Sequence, residues 1–99
     1  MCSVPDEECW LPAPGFAGWY EASCLGNVFS LPRAGTAGGL IRPVLVNGYR
    51  VVVLSRYGRV TSVPVGRLVL SAFSGPANGR RARHLGARDD DRLGNLYWG

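Results

Sequence analysis

The amino-acid sequence predicts an α+β fold, in which a small β-hairpin module precedes a second module of short strands and one short helix. Short runs rich in aromatic and β-branched residues come in two pairs, which is typical of strands. A glycine-containing turn separates the two runs of each pair. Apolar residues at positions 68, 69, 72 and 73 follow the second pair, and this spacing predicts a short amphipathic helix that docks on a sheet.

The first module is predicted to occupy residues 10–31. Residues 1–9 are acidic and lack periodicity, so we expect a loose leader there. Two prolines and two glycines in residues 10–18 predict an irregular segment. Runs at 19–23 and 28–31 then flank the turn Leu25-Gly26-Asn27 and predict a compact hairpin.

Residues 32–47 are rich in glycine, alanine and proline at their start and are predicted to be a linker to the second module, residues 48–99. In that module, strands are predicted at 48–54 and 60–65, and the helix at 67–73. After a basic loop, two short extended pieces surround a turn rich in aspartate and glycine. His84 and Asn95 can therefore face each other across an irregular hairpin.

The composition is that of a globular chain, with 46% hydrophobic and 18% charged residues in a length of 99. Its apolar stretches are far shorter than the roughly 20 residues that span a bilayer, and no secretion signal opens it. We therefore expect no membrane association and a cytoplasmic location. Cys2, Cys9 and Cys24 have no CxxC spacing, and we expect reduced, partly buried thiols.

The charge is strongly asymmetric along the chain. The first 24 residues contain four acidic side chains and no basic one, whereas residues 25–88 contain ten arginines and no acid. A basic surface of this kind suits a polyanion such as nucleic acid, although a merely solvated basic face is the alternative. The arginines predicted to contact DNA are Arg50, Arg56, Arg59, Arg67, Arg80, Arg81 and Arg83.

Residues 10–31 carry a specific motif: a tryptophan, a Pro-Gly-Phe turn, a Tyr-Glu-x-Ser strand, a Leu-Gly turn and a closing Val-x-Ser-Leu. This segment resembles the NUMOD4 module that precedes many phage and intron-encoded HNH homing endonucleases. Residues 48–98 are similar to the HNH nuclease module, through the strand Tyr49 to Leu54, the helix Gly66 to Phe73 and the segment His84 to Trp98. The resemblance implies a ββα-metal (His-Me finger) fold in the second module and a role in DNA contact for the first.

The resemblance also implies a chemistry, the hydrolysis of DNA phosphodiester bonds. In this family a histidine acts as general base on water, and a divalent metal, with Mg²⁺ expected, stabilises the charge that develops at the phosphate. His84 falls on that histidine, and imidazole can be neutral and accept a proton at cell pH. Asn95 falls on the middle residue of the signature, whose amide braces the hairpin. The expected ligand is double-stranded DNA.

Several positions depart from the family pattern. Arg83 stands where the family commonly has a metal-binding Asp or Asn, and Gly66 stands where its other histidine usually lies. The family's second metal ligand sits on a helix that would follow Trp98, and we expect that helix to be missing. Asp89, Asp90 and Asp91 are candidate metal ligands, but a polar turn is favoured because consecutive carboxylates seldom converge without a designed loop.

The sequence therefore predicts a DNA-binding HNH endonuclease-like protein that hydrolyses, or formerly hydrolysed, phosphodiester bonds. The alternative is a catalytically inactive HNH scaffold that binds DNA or a protein. A protein partner could complete the site in the first case. A third possibility is a fragment of a longer chain.

Overall fold

The computed structural model describes residues 8–33, 35 and 37–99. The first part of these residues forms an antiparallel sheet of four short strands in the order β1-β2-β3-β4. Its strands are β1 (Trp10–Pro12), β2 (Tyr20–Ser23), β3 (Val28–Ser30) and β4 (Gly39–Leu40). The central hairpin turns at Gly26, whose φ of 88° is readily adopted only by glycine. We call this sheet the N-terminal sheet.

A second antiparallel sheet follows, with strands in the order β5-β6-β7. Its strands are β5 (Val44–Val46), β6 (Tyr49–Arg56) and β7 (Arg59–Pro64). Tyr57 and Gly58 both have positive φ, 53° and 76°, which gives the tight turn a twist that suits a two-residue hairpin. We call this sheet the central sheet.

The helix α1 (Val65–Ser74) begins directly after β7. Pro64 is its N-cap, and a proline tolerates this position because the first amide groups of a helix have no internal partner. Beyond the helix, β8 (Ala82–His84) pairs with β9 (Leu96–Trp98), and a 3₁₀ turn at Leu93–Asn95 leads into β9.

One apolar core joins all three sheets to the helix. Leu68, Val69 and Leu70 of α1 are buried, as are Val52 and Leu54 of β6. The N-terminal sheet adds Tyr20, Ala22 and Val28 to the same cluster, and β9 adds Leu96. The helix contacts strands of the N-terminal sheet, of the central sheet and of the β8/β9 pair, so it fixes their relative positions.

Two polar connections reinforce this packing. The Tyr20 hydroxyl accepts a hydrogen bond from the Ser55 amide at 2.9 Å and lies 3.1 Å from the Ser55 carbonyl, to which it donates. At the other end, the Leu93 amide donates to the Cys24 carbonyl at 2.8 Å. The N-terminal sheet is therefore anchored to β6 and also to the segment that precedes β9.

The α+β prediction is confirmed: the described residues form short antiparallel strands and one α-helix. The two predicted hairpins and the helix lie where the sequence indicates, with α1 starting at Val65, two residues earlier than predicted. The segment 10–18, predicted to be irregular, contains β1. The predicted linker 32–47 contains β4 and β5, each of which joins a different sheet.

Two further expectations concern the ends and the cysteines. Residues 1–7 of the predicted acidic leader, including Cys2, lie outside the described residues. Cys9 is a free, half-buried thiol, as expected, whereas Cys24 is disulfide-bonded, which corrects the expectation of a reduced thiol there. None of the helices in the described part of the chain is both long and apolar enough to cross a membrane.

Candidate active site and nucleic-acid interface

His84, the one histidine of the sequence, ends β8 and pairs with Leu96 of β9. Its side chain is 9% exposed, so only a small part of the ring faces solvent. The Nε2 atom lies 2.7 Å from Oδ1 of Asp91, which is the distance of a strong, charge-assisted hydrogen bond. Tyr49 packs beside the imidazole, with the two ring centroids 5.6 Å apart. The imidazole is therefore held from two sides.

Asp91 is the buried member of this pair, with 2% of its surface exposed. Its Oδ2 atom has no hydrogen-bond partner, but Nη1 of Arg50 lies 3.5 Å away. Burial raises the pKa of the Asp91 carboxyl, while the hydrogen bond and charge of His84 and the charge of Arg50 oppose that rise. Asp91 thus joins His84, through a hydrogen bond, and Arg50, through an ion pair, in one polar cluster.

Two glycines shape the space around Asp91. A Cβ on Gly66, in the first turn of α1, would lie 3.0 Å from Oδ1 of Asp91 and 3.4 Å from Nε2 of His84. A Cβ on Gly26 would lie 2.9 Å from the backbone carbonyl of Asp91. The helix and the N-terminal sheet therefore both approach Asp91 closely, and a larger residue at either glycine would require a local shift.

Asn95 holds the loop between β8 and β9 together. Its Oδ1 accepts a hydrogen bond from the Gly86 amide at 2.9 Å. Its Nδ2 donates to the carbonyl of Asp90 at 2.8 Å and to that of Ala87 at 3.2 Å. These three bonds connect both ends of the loop that carries Asp91.

The three consecutive aspartates have different surroundings. Asp89 is exposed, and Asp90 binds Arg92 through contacts of 2.8 Å and 2.7 Å, whereas Asp91 points inward to His84. Across residues 8–33, 35 and 37–99, no three His, Cys, Asp or Glu side chains come together in a way that could hold a metal ion. The residues described here therefore do not fit a divalent-metal site.

His84 and Asp91 line a cleft of about 710 Å³ between the central sheet, α1 and the β8/β9 pair. Five arginines line it, and Asp91 is the one acidic residue among the lining residues that the structure describes. Tyr49 and Tyr97 add two partly exposed aromatic rings to its wall. The arginines of this basic cleft are Arg50, Arg67, Arg81, Arg83 and Arg88.

The structure brings together four of the seven arginines predicted to contact DNA, namely Arg50, Arg67, Arg81 and Arg83. The other three lie outside the basic cleft. Arg56 and Arg59 line a smaller cavity of about 330 Å³ beside Phe16 and Tyr57, and Arg56 also donates to the carbonyl of Gly15. Arg80 hydrogen-bonds the carbonyl of Ala77, 2.9 Å away, within its own turn.

Sequence reasoning missed two features of the site. Arg88 lines the cleft, and its guanidinium lies 5.5 Å from the centre of the Tyr49 ring. The sequence signal that could have found it is its place among the arginines of residues 25–88. Asp91 is the hydrogen-bond partner of His84. No local feature of the sequence separates it from Asp89 and Asp90, since only the packing of distant segments buries one of the three.

Comparison with known proteins relates the chain to one class of nuclease. Residues 8–55 match the model of the NUMOD4 motif. The structure is similar to a solved structure described as "DNA binding and cleavage by the HNH homing endonuclease I-HmuI", with a TM-score of 0.81 and 28% sequence identity. That match covers 92% of this chain and 52% of the other, so the chain spans about half the length of that protein. No curated protein matches the sequence.

The predicted resemblance is therefore confirmed, while the predicted module boundaries stay a prediction. The NUMOD4 match extends past residue 31 into β6, and the structural similarity continues through the helix and the β8/β9 pair. The chain therefore carries a NUMOD4 motif in residues 8–55, and its fold is similar to that of an HNH homing endonuclease.

Proposed function

We propose that this chain binds double-stranded DNA in the basic cleft and hydrolyses its phosphodiester bonds, with His84 as the general base. The observation that carries the proposal is the position of the chain's one histidine, nearly buried and hydrogen-bonded, in the wall of a cleft lined by five arginines. Arginine side chains bind phosphate oxygens through paired N–H groups and so hold the backbone against the wall. Such a protein would work in the cytoplasm of a bacterial or phage-infected cell.

In the proposed reaction, the neutral imidazole of His84 takes a proton from a water molecule that attacks the phosphorus atom. Arg83 and Arg67 line the same cleft as His84 and would offset the charge of the bound phosphates. Asn95 keeps the loop of Asp91 in place through its three hydrogen bonds. Tyr49 and Tyr97 offer flat apolar surfaces beside the path of the backbone.

The family resemblance implies a divalent cation, with Mg²⁺ expected, in an active enzyme. The described residues do not fit such a site, because Arg83 cannot coordinate a cation and Asp90 and Asp91 are engaged with Arg92 and His84. No step is therefore assigned to a metal in this chain. A protein partner that completes the site would be one source of further ligands.

The test measures nicking of supercoiled plasmid and binding of duplex DNA by the wild type and by His84→Ala. We expect nicking that is lost in His84→Ala, with a binding constant that stays within about threefold, since His84 offers little surface to the duplex. Equal nicking by both proteins, purified in parallel, would refute the role of His84.

A second candidate function is that of a non-catalytic DNA-binding module, which the exposed cation of Arg83 next to His84 favours. In that case neither protein nicks DNA, but both bind it with a steep salt dependence. The slope of log K against log salt should be about −0.9 for each phosphate contacted. A flat salt response would argue against DNA as the ligand and for a protein partner.

A further inference from the structure

We propose that Asp91 is a positioning residue that fixes the tautomer of His84, with the proton on Nε2 and the basic lone pair on Nδ1. The catalytic consequence of this inference rests on the proposed function. The assignment of the proton in the His84–Asp91 hydrogen bond does not. It assigns to Asp91 a task different from metal binding, for which the sequence made it a candidate.

The first step of the argument is the hydrogen bond. An ionised carboxylate offers only acceptors, so the ring nitrogen that faces it must carry a proton. Nε2 of His84 faces Oδ1 of Asp91 at 2.7 Å, and the cation of Arg50 beside Oδ2 favours the ionised carboxylate. In the neutral imidazole, the other nitrogen, Nδ1, is then the acceptor.

The second step is the way in which the carboxylate is held. Gly66 leaves the space that the pair occupies, because a Cβ there would lie 3.0 Å from Asp91 Oδ1 and 3.1 Å from a methyl group of Leu96. Gly26 lets the hairpin of the N-terminal sheet approach the Asp91 backbone, and the Leu93 amide is bonded to the Cys24 carbonyl. Asp91 is thus clamped between the helix and the N-terminal sheet, and a shift of either one would move it relative to His84.

The third step is the consequence for the reaction. When water attacks phosphorus, one of its protons passes to Nδ1, its oxygen forms the new bond to phosphorus, and the bond to the leaving oxygen breaks. The leaving oxygen takes a proton from solvent, and the imidazolium later returns its proton to solvent. Asp91 does not exchange a proton in this sequence. Its negative charge lies next to the imidazolium while the positive charge exists, and this stabilises the charged intermediate state of His84.

Arg50 makes Asp91→Asn a sharp test. In the variant, the amide oxygen is expected to face the guanidinium of Arg50, since an amide NH₂ group against that cation would place donors against donors. The NH₂ group then faces Nε2 of His84, which must become the acceptor, and the proton moves to Nδ1. The same substitution in the Ser-His-Asp triad of serine proteases presents the wrong tautomer and lowers kcat about 10⁴-fold.

The experiment records long-range ¹H–¹⁵N correlation spectra of ¹⁵N-labelled protein at alkaline pH. Because the sequence contains a single histidine, its ring signals are unambiguous. We expect the wild type to show a protonated Nε2 and an unprotonated Nδ1, and Asp91→Asn to show the reverse. Asp89→Asn is the matched control: it removes the same charge from an exposed position of the same loop and should give the wild-type spectrum.

The same proteins are compared in the nicking assay. We expect Asp91→Asn to lower the nicking rate by about 10²–10⁴-fold with little change in DNA affinity, and Asp89→Asn to match the wild type. A wild type with the proton on Nδ1, or an Asp91→Asn variant that keeps the wild-type tautomer or nicks at the wild-type rate, would overturn the proposal. If the wild type does not nick at all, the proposed function fails, whereas the spectra still decide whether Asp91 fixes the tautomer.

Gly66→Ala provides a second variant that leaves every polar group of the pair in place. Alanine favours a helix more than glycine does, so the variant should fold. Its methyl group should displace Asp91 Oδ1 by a few tenths of an ångström and shift the ring signals of His84. Ring signals identical to those of the wild type would contradict the proposed clamp.

Discussion

The N-terminal sheet and the basic cleft both contain arginines, but they use them differently. Arg33, which follows β3, lies 4.8 Å from the centre of the Trp19 ring and 5.2 Å from that of Tyr20, and donates to the Tyr20 hydroxyl at 3.2 Å and the Ser30 hydroxyl at 3.2 Å. Arg81 and Arg83 of the cleft are exposed, and their side chains make no hydrogen bond or ion pair with the part of the chain that the structure describes. The guanidinium groups of Arg81 and Arg83 are thus free to contact a ligand, whereas that of Arg33 is engaged within the protein.

Both regions also contribute residues that form or hold the candidate site. The cleft supplies the charged surface and His84, while the N-terminal sheet supplies the turn at Gly26 that packs on Asp91. Tyr20 and Ser55 connect the same sheet to β6, the strand that carries Arg50. The N-terminal sheet therefore has a structural task at the proposed active site in addition to any contact with DNA.

The largest expected effect is the loss of stability in Arg33→Ala, in the N-terminal sheet. The variant loses hydrogen bonds of a cation and two stacking contacts, so the free energy of unfolding should fall by about 2–3 kcal/mol. Urea denaturation measures this change, and DNA binding at a temperature where the variant is folded should keep its salt slope. Arg42→Ala, at an exposed arginine, is the control. A loss of stability as small in Arg33→Ala as in Arg42→Ala would show that Arg33 does not stabilise the N-terminal sheet.

A smaller effect is expected for Arg83→Gln, which should change DNA binding and leave stability almost unchanged. Since the side chain is exposed and lines the cleft, the free energy of unfolding should stay within about 0.5 kcal/mol of the wild type. The slope of log K against log salt should become shallower by about 0.9 if Arg83 contacts one phosphate. The measurement is DNA binding by fluorescence anisotropy over a salt series, with Arg42→Gln as control. An unchanged slope would remove Arg83 from the interface.

The smallest effect concerns Asp90, the neighbour of Asp91. The hydrogen bond with Arg92 lowers the pKa of Asp90 to about 2, so its ionised form is favoured in the folded protein. Its contribution to stability should be present above about pH 4 and lost as the pH falls through 2. Asp90→Asn should lower Tm slightly at pH 7, by an amount that shrinks as the pH falls from about 4 through 2. Tm values of both proteins across this range, taken by circular dichroism, provide the check, and a Tm difference that grows on acidification would contradict it.

The parts of the fold that could be predicted are those with a local signal. The hairpin around Gly26, the two long strands β6 and β7, and the amphipathic α1 follow from turn residues, β-branched runs and helical spacing. The strands β1, β4 and β5 were missed because they have two or three residues each and exist through pairing with a neighbour. A proline-rich or glycine-rich segment can form such an edge strand when a partner strand lies beside it.

The candidate site was predictable to a similar extent. His84 and Asn95 are indicated by the family motif and the arginines by their clustering, but the sequence could not separate the four predicted arginines that line the cleft from Arg56, Arg59 and Arg80. It also could not choose among the three aspartates. These choices depend on which side chains distant segments cover, and burial of that kind has no local sequence signal.

The sequence by itself determined the resemblance to HNH homing endonucleases, the order of the main strands and helix, the basic character of the chain and the one histidine that can act as a base. Tertiary structure alone decided that Asp91 is the buried aspartate and that Arg33 and Arg56 contact the protein's own aromatic rings. The physical reason is that turn formation and periodicity are properties of neighbouring residues. The energy of a buried charge, in contrast, depends on groups brought close by folding, here Gly26, Arg50, Gly66 and His84.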